Sequence, residues 1–291
     1  MPDRPNGTMG TKISNMKYFV ITIVLLALLT SCQQDGKPME WVYQKTIKLD
    51  GVNPIGLAIA NEKLWLSDGD HNRLVQIDEN GNIEKTLDSL DRPMHIDALG
   101  ETLFIPQYGN DKVETYDSKG RFELHLNDSL DAPAGVAVYQ NEKAVVDFYN
   151  NRILYGNGAE WFSIGKEGKK EGEFYYPTDV QITDSLIWVA DAYNNRVQAF
   201  DKSGKYVKML GQEQKMNAAT GIFISESEVL VTDFENDRIL VFDHDGNLKQ
   251  KLKRGVAKAT DLLIKDNILH IINYRSGELV LYELKEKQLE T

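Results

Sequence analysis

The stretch Leu186-Ile-Trp-Val-Ala-Asp-Ala-Tyr-Asn-Asn-Arg196 decides the fold. A short apolar run ends at Asp191. Five positions later Arg196 opens a second run, to Phe200. The frame recurs as Leu64-Trp-Leu-Ser-Asp68 with Asn72-Arg73, as Asp147 with Asn151-Arg152, and as Asp233 with Asp237-Arg238. Weaker copies are Gln107 with Asp111-Lys112 and Asn273 with Gly277-Glu278. The copies start at 68, 107, 147, 191, 233 and 273, so their spacing is 39, 40, 44, 42 and 40 residues. Six in-phase copies of this period mark a repeat architecture.

Working outward, each copy reads as four short strands. In the fourth copy these are Val180–Ile182, Leu186–Ala190, Arg196–Phe200 and Tyr206–Leu210. Alternating apolar residues fit strands and not helices. Asp78-Glu-Asn-Gly81, Asp117-Ser-Lys-Gly120, Asp201-Lys-Ser-Gly204 and Asp243-His-Asp-Gly246 separate the third strand from the fourth. Glycine there supplies the positive φ of a tight hairpin. The expected fold is all-β: a six-bladed β-propeller of four-stranded antiparallel blades. The last copy holds only three strands, ending near Glu283, and Trp41–Leu49 is an unassigned strand ahead of the first. That N-terminal strand is expected to complete the last blade and close the ring, hiding a sheet edge.

The run Tyr176-Pro-Thr-Asp-Val-Gln-Ile182, with Trp188-Val-Ala-Asp-Ala-Tyr-Asn-Asn-Arg-Val197, resembles an NHL repeat. The resemblance spans about residues 53–284; it is best in copies one, four and five and degraded in two and six.

The chain has one cysteine, Cys32, which excludes an internal disulfide and a cysteine-based zinc site. Met16-Lys17, the apolar run Tyr18–Leu29 and Leu29-Thr-Ser-Cys32 resemble a bacterial lipoprotein signal, with Cys32 as the lipidated residue. The alternative, a membrane-anchoring helix, lacks a charged cluster directly after the apolar run. The expected division is a signal peptide over 1–31, a lipidated tether over 32–40 and an NHL-type propeller over 41–291. Gln33-Gln34 follows the cysteine in place of aspartate, and by analogy with lipoprotein sorting this points to the outer membrane of a bacterial (Bacteroidetes-like) cell envelope. Net charge is −11, and −13 once the basic first 31 residues are set aside. Such an acidic surface repels nucleic acid, and the membrane is expected to be met through the lipid alone. A monomer is expected.

In propellers of this type the first strand of each blade lines the central channel. Aligning the copies sets Gly56, His95, Gly135, Asp179, Gly221 and Asp261 in one column. His95, Asp179 and Asp261 then occupy alternate blades and could hold a divalent metal ion. The plainer reading is that aspartate and glycine here shape the turn into the strand. The preceding column reads Ile55, Met94, Ala134, Thr178, Thr220 and Thr260, where the related gluconolactonases and peptide-amidating lyases carry metal ligands. That departure argues against both activities. The repeated Asp…Arg pairs read as structural, with the arginine bridging blades.

Loop aromatics Tyr108, Phe148, Tyr149, Tyr193, Phe234 and Tyr274 are expected at the same mouth. There they suit a sugar or peptide, or pack blade on blade. His71, His125, His244 and His270 read as unremarkable, with His270 expected to be buried. The leading expectation is an envelope-anchored binding or scaffold module for a peptide, glycan or protein. The alternative is a metal-assisted lyase or hydrolase using His95, Asp179 and Asp261, which convergence of these groups to within about 5 Å would favour.

Overall fold

A computed structural model describes residues 37–158 and 160–287. Cys32 and the expected signal peptide over 1–31 lie outside these residues. Six sheets of four antiparallel strands form the six blades of the propeller. Blade 4 comprises Asp179–Ile182, Leu186–Asp191, Arg196–Asp201 and Tyr206–Leu210. These limits lie within one residue of those read from the sequence.

The second strand of blade 4 shows why the runs are almost wholly apolar. Successive side chains of a strand point to opposite faces. Ile187 and Val189 pack into the core shared with blade 3, and Trp188 and Ala190 into the core shared with blade 5. Both faces are covered, so neither carries a polar stripe. The core is therefore distributed between blades, with Trp188, Phe174, Phe200 and Phe242 fully buried. Each such side chain stabilises the fold by roughly 1.5–3 kcal/mol relative to exposure.

The ring closes as expected. Met39–Lys48 pairs with Glu278–Glu286, from Met39 opposite Glu286 to Lys48 opposite Glu278. Closure thus begins at Met39, two residues ahead of the sequence-based boundary at 41. The third-to-fourth hairpins turn at Gly81, Gly120, Gly204 and Gly246, all with positive φ. Single 3-10 turns, Gly69–His71, Ala192–Asn194 and Phe234–Asn236, join second to third strands in blades 1, 4 and 5. Each ends on a left-handed residue: Asn72, Asn195 or Asp237.

Candidate functional site

The column at the head of the innermost strands alternates for a steric reason. A Cβ on Gly56 would lie 2.6 Å from the Met94 carbonyl oxygen; on Gly135, 2.8 Å from that of Thr178; on Gly221, 2.4 Å from that of Thr260. Glycine is required where blades 1, 3 and 5 press on blades 2, 4 and 6.

The acids of the even blades make the other set of joints. Asp179 Oδ1 accepts its own strand's Val180 N–H (2.8 Å), and Oδ2 accepts Ile222 N–H of blade 5 (2.8 Å). Asp261 does the same with Leu262 (2.8 Å) and with Leu57 of blade 1 (3.1 Å). In blade 2 the column holds His95, whose main chain pairs directly with Gly135 of blade 3. Asp97, two residues on and so on the same side of the strand, accepts Ala98 N–H (2.7 Å) and Val138 N–H of blade 3 (2.7 Å). Sequence reasoning missed Asp97; its i+2 spacing from His95 is the signal that marks it.

His95, Asp179 and Asp261 converge. One ligand atom from each lies within 4.8 Å of the others, and all three residues are buried. His95 Nδ1 stands 3.3 Å from Asp261 Oδ2, out of line for a hydrogen bond, and has no hydrogen-bond partner. Burial alone works to lower the His95 pKa, but Asp261 and Asp179 outweigh it, so the imidazole is raised above the ordinary value. Burial pushes Asp179 up to about 7, with His95 pulling the other way and Asp261 adding to the rise. Desolvation inside the channel likewise pushes Asp97 up to about 7.

The three groups do not share one mouth. His95 lines a cavity of about 520 Å³ at the mouth that carries the loops between second and third strands. Asp179 and Asp261, with Asp97 and Gln181, line a second cavity of about 190 Å³ on the other side. The cluster forms a waist between the two.

The walls of the larger cavity are Ile55, Met94, Phe148, Tyr193, Phe234 and Tyr274, with Asp70, Arg92 and Glu235 among its polar groups. Tyr193 is 60% exposed, and the Tyr274 hydroxyl donates to Asp70 Oδ2 (2.9 Å) across the blade 6–blade 1 joint. Tyr108 and Tyr149 do not line this cavity. They join hydroxyl to hydroxyl (2.7 Å), with Arg92 over the Tyr108 ring at 4.8 Å. From them an aromatic arc runs through Phe148, stacked on Tyr176 (centroids 4.9 Å apart), to Tyr193 (5.2 Å from Tyr176). Packing and presentation coexist: the arc fixes the rings that the cavity uses.

On the cavity floor Thr178 donates to the Thr220 carbonyl (2.8 Å), Thr220 bonds Thr232 (2.7 Å), and Thr260 reaches the Pro54 carbonyl (3.3 Å). These hydroxyls are committed to joints between and within blades.

The Asp…Arg pairs are structural. Asp68, Asp147, Asp191 and Asp233 are fully buried and meet Nε of Arg73, Arg152, Arg196 and Arg238 at 2.9, 2.7, 2.8 and 2.5 Å. The arginines then hold carbonyls of the loop leading into their own blade, Gly51, Ser129, Lys170 and Gln214. The blade-to-blade bridge belongs instead to the left-handed residue before them. Asn72, Asp111, Asn151, Asn195 and Asp237 accept the N–H of Arg92, Ala132, Tyr176, Ala218 and Lys258 in the next blade. The sequence showed the Asn-Arg pair but not which member crosses the joint.

The remaining histidines lie apart from the waist. His71 pairs with Asp68 (2.8 Å), His244 meets the Ser225 carbonyl (2.9 Å), and His125 is exposed just past Gly120–Glu123. His270 is half-buried, not buried.

No protein-family model matches the chain, and no curated protein sequence does. Solved structures match its fold. A gluconolactonase from Xanthomonas campestris superposes with a TM-score of 0.66 at 14% identity, covering 86% of this chain and 96% of that one. Virginiamycin B lyase from Staphylococcus aureus gives 0.62 at 15% identity, covering 87% and 90%. BamB from Moraxella catarrhalis gives 0.55 at 9%, covering 86% and 100%. At these identities the likeness is one of fold.

Proposed function

We propose that this chain is an NHL-type propeller lipoprotein that binds a peptide, glycan or protein partner at its aromatic mouth. In this reading Cys32 carries the lipid that holds a monomeric ring at the bacterial outer membrane. The observation that carries the proposal is the 520 Å³ mouth cavity, with aromatic walls and a floor of committed hydroxyls. Apolar walls with a few polar groups suit recognition, and rigid tyrosine and phenylalanine supply contact area at low entropic cost. The column Ile55, Met94, Ala134, Thr178, Thr220 and Thr260 supplies no acid, amide or histidine for chemistry, and of the waist cluster His95 alone is among the described residues lining this cavity. A metal-assisted lyase or hydrolase is the second reading, favoured by the convergence of His95, Asp179 and Asp261. Against it, the two carboxylates face the smaller cavity, away from a ligand seated among the aromatics.

The test uses residues 33–291 on oligosaccharide and peptide arrays, with affinities of hits measured by calorimetry. The double variant Tyr193→Ala, Phe234→Ala is expected to bind at least about tenfold more weakly, since two aromatic anchors are removed. Unchanged affinity in the variant, or no hit on either array, would refute the mouth as a binding site. Turnover of a bound ligand would promote the second reading. For the anchor, wild-type cells fed radiolabelled palmitate are expected to label the protein and Cys32→Ser cells are not; equal labelling removes Cys32 as the lipid site.

A further inference from the structure

We propose that His95, Asp179 and Asp261 form a structural site for one borderline divalent cation, of the Zn²⁺ class, which ties blades 2, 4 and 6 across the waist of the channel. The inference goes beyond the mouth-binding reading and does not rest on it, because two of the three ligands lie on the far side of the waist.

Three observations carry it. The first is convergence, to within 4.8 Å, of one imidazole nitrogen and two carboxylates from alternate blades. Ligand atoms around a four-coordinate ion lie about 3.3 Å apart, so rotamer adjustments under 2 Å close the site. The second is Nδ1 of His95, a residue only 3% exposed, which makes no aligned hydrogen bond and stands 3.3 Å from Asp261 Oδ2. A buried polar nitrogen without a well-formed hydrogen bond is uncommon and asks for an explanation. This one faces the two acids, and a cation among them satisfies it. The third is charge. Asp97, Asp179 and Asp261 line the smaller cavity, and no lysine or arginine is among its described lining residues. Buried carboxyls either pair with a cation or take up a proton, and a cation here lets them keep their charge.

The donors remain competent after their structural duties. Each of Asp179 Oδ1, Asp179 Oδ2 and Asp261 Oδ1 accepts one backbone N–H, which leaves a second lone pair on each oxygen. Those N–H bonds orient the carboxylates as outer groups orient metal ligands. One imidazole among oxygens selects a borderline ion over Ca²⁺ or Mg²⁺, which take oxygen sets. The rival occupant is a proton: a charged imidazole 3.3 Å from Asp261 Oδ2 would neutralise part of the cluster, and the metal assay below decides between the two.

The experiment uses residues 33–291, since the closed ring lies within Met39–Glu286. The protein is stripped with a chelator, equilibrated with Zn²⁺, desalted, and assayed for bound metal by mass spectrometry and for Tm. One ion per chain and an upward shift in Tm are expected, because a ligand that binds only the folded state stabilises it. Both are lost in His95→Gln and in Asp179→Asn, and neither appears with Ca²⁺ or Mg²⁺ at the same concentration. Co²⁺ loading of the wild type gives a second readout that needs no variant: visible d–d bands of a nitrogen-ligated site. No bound ion together with an unchanged Tm leaves the proton as occupant and overturns the proposal. Metal retained undiminished in both folded variants places it elsewhere and overturns it equally. Should the variants not fold, the presence or absence of the Co²⁺ bands decides.

Discussion

At the scale of single residues, blade 2 shows how a degraded repeat is repaired. Its Gln107 stands where the strong copies have aspartate, and Lys112 where they have arginine. Gln107 Oε1 still accepts the loop N–H of Asp91 (2.8 Å), as aspartate does elsewhere. The arginine's task moves to Arg121 on the fourth strand. Its guanidinium holds the carbonyls of Asp88 (3.2 Å) and Ser89 (3.1 Å) and is anchored on Glu114 (2.8 Å). Burial works to raise the Glu114 pKa, but Lys112 and Arg121 outweigh it and hold it below the ordinary 4.5. A carboxylate with a depressed pKa contributes stability above its unfolded value and loses it as the pH falls through the folded one. Glu114→Gln is therefore expected to cost about 1–3 kcal/mol at pH 7. The difference from wild type should close as urea titrations move below pH 4.5. A pH-independent difference would show that the pair acts through packing. None of this was legible in the sequence, because Arg121 lies fourteen positions past Gln107 and outside the repeat's own motif. Blade 6 is repaired differently: Asn273 donates to the Gly255 carbonyl (2.7 Å) and to Glu278 (3.1 Å).

At the scale of elements, apolar alternation read the strands of blade 4 to within a residue, because both faces meet neighbours of the same kind. The innermost strand of blade 2 is shorter, Asp97–Leu99, since His95 pairs outward with blade 3. That depends on a partner forty residues away in the chain, which local pattern does not encode. The placing of His95, Asp179 and Asp261 in one column on alternate blades followed from six-fold alignment, whereas their convergence to within 4.8 Å and their division between two cavities did not. Column position fixes where a Cα sits, and the turn of each side chain depends on the N–H groups that claim it. The closing strand was legible as a leftover. Its anchor is Trp41, 3% exposed, whose Nε1 donates to Glu228 of blade 5 (2.9 Å). Its main chain also exchanges hydrogen bonds with Gln250 (2.9 and 2.8 Å). Trp41→Ala is expected to lower the unfolding free energy by about 3–5 kcal/mol in urea titrations. A loss under about 1 kcal/mol would mean that the closing strand is held by its ladder and not by this side chain.

At the scale of the whole molecule, the ring was the most legible feature, since six in-phase copies at 39–44-residue spacing admit few other architectures. Its chemistry was the least legible, because a propeller places function in loops and channel positions that repeat poorly. The alternation around the channel carries a consequence for how such a ring can grow or shrink. Odd blades offer a bare backbone to the next blade, and even blades offer an acid to the one after. The structure thus has parity: its true building block is a couplet, repeated three times. Losing or gaining a lone blade would set two bare backbones, or two acids, side by side at the seam. Descendants of this ring should therefore count their blades in twos.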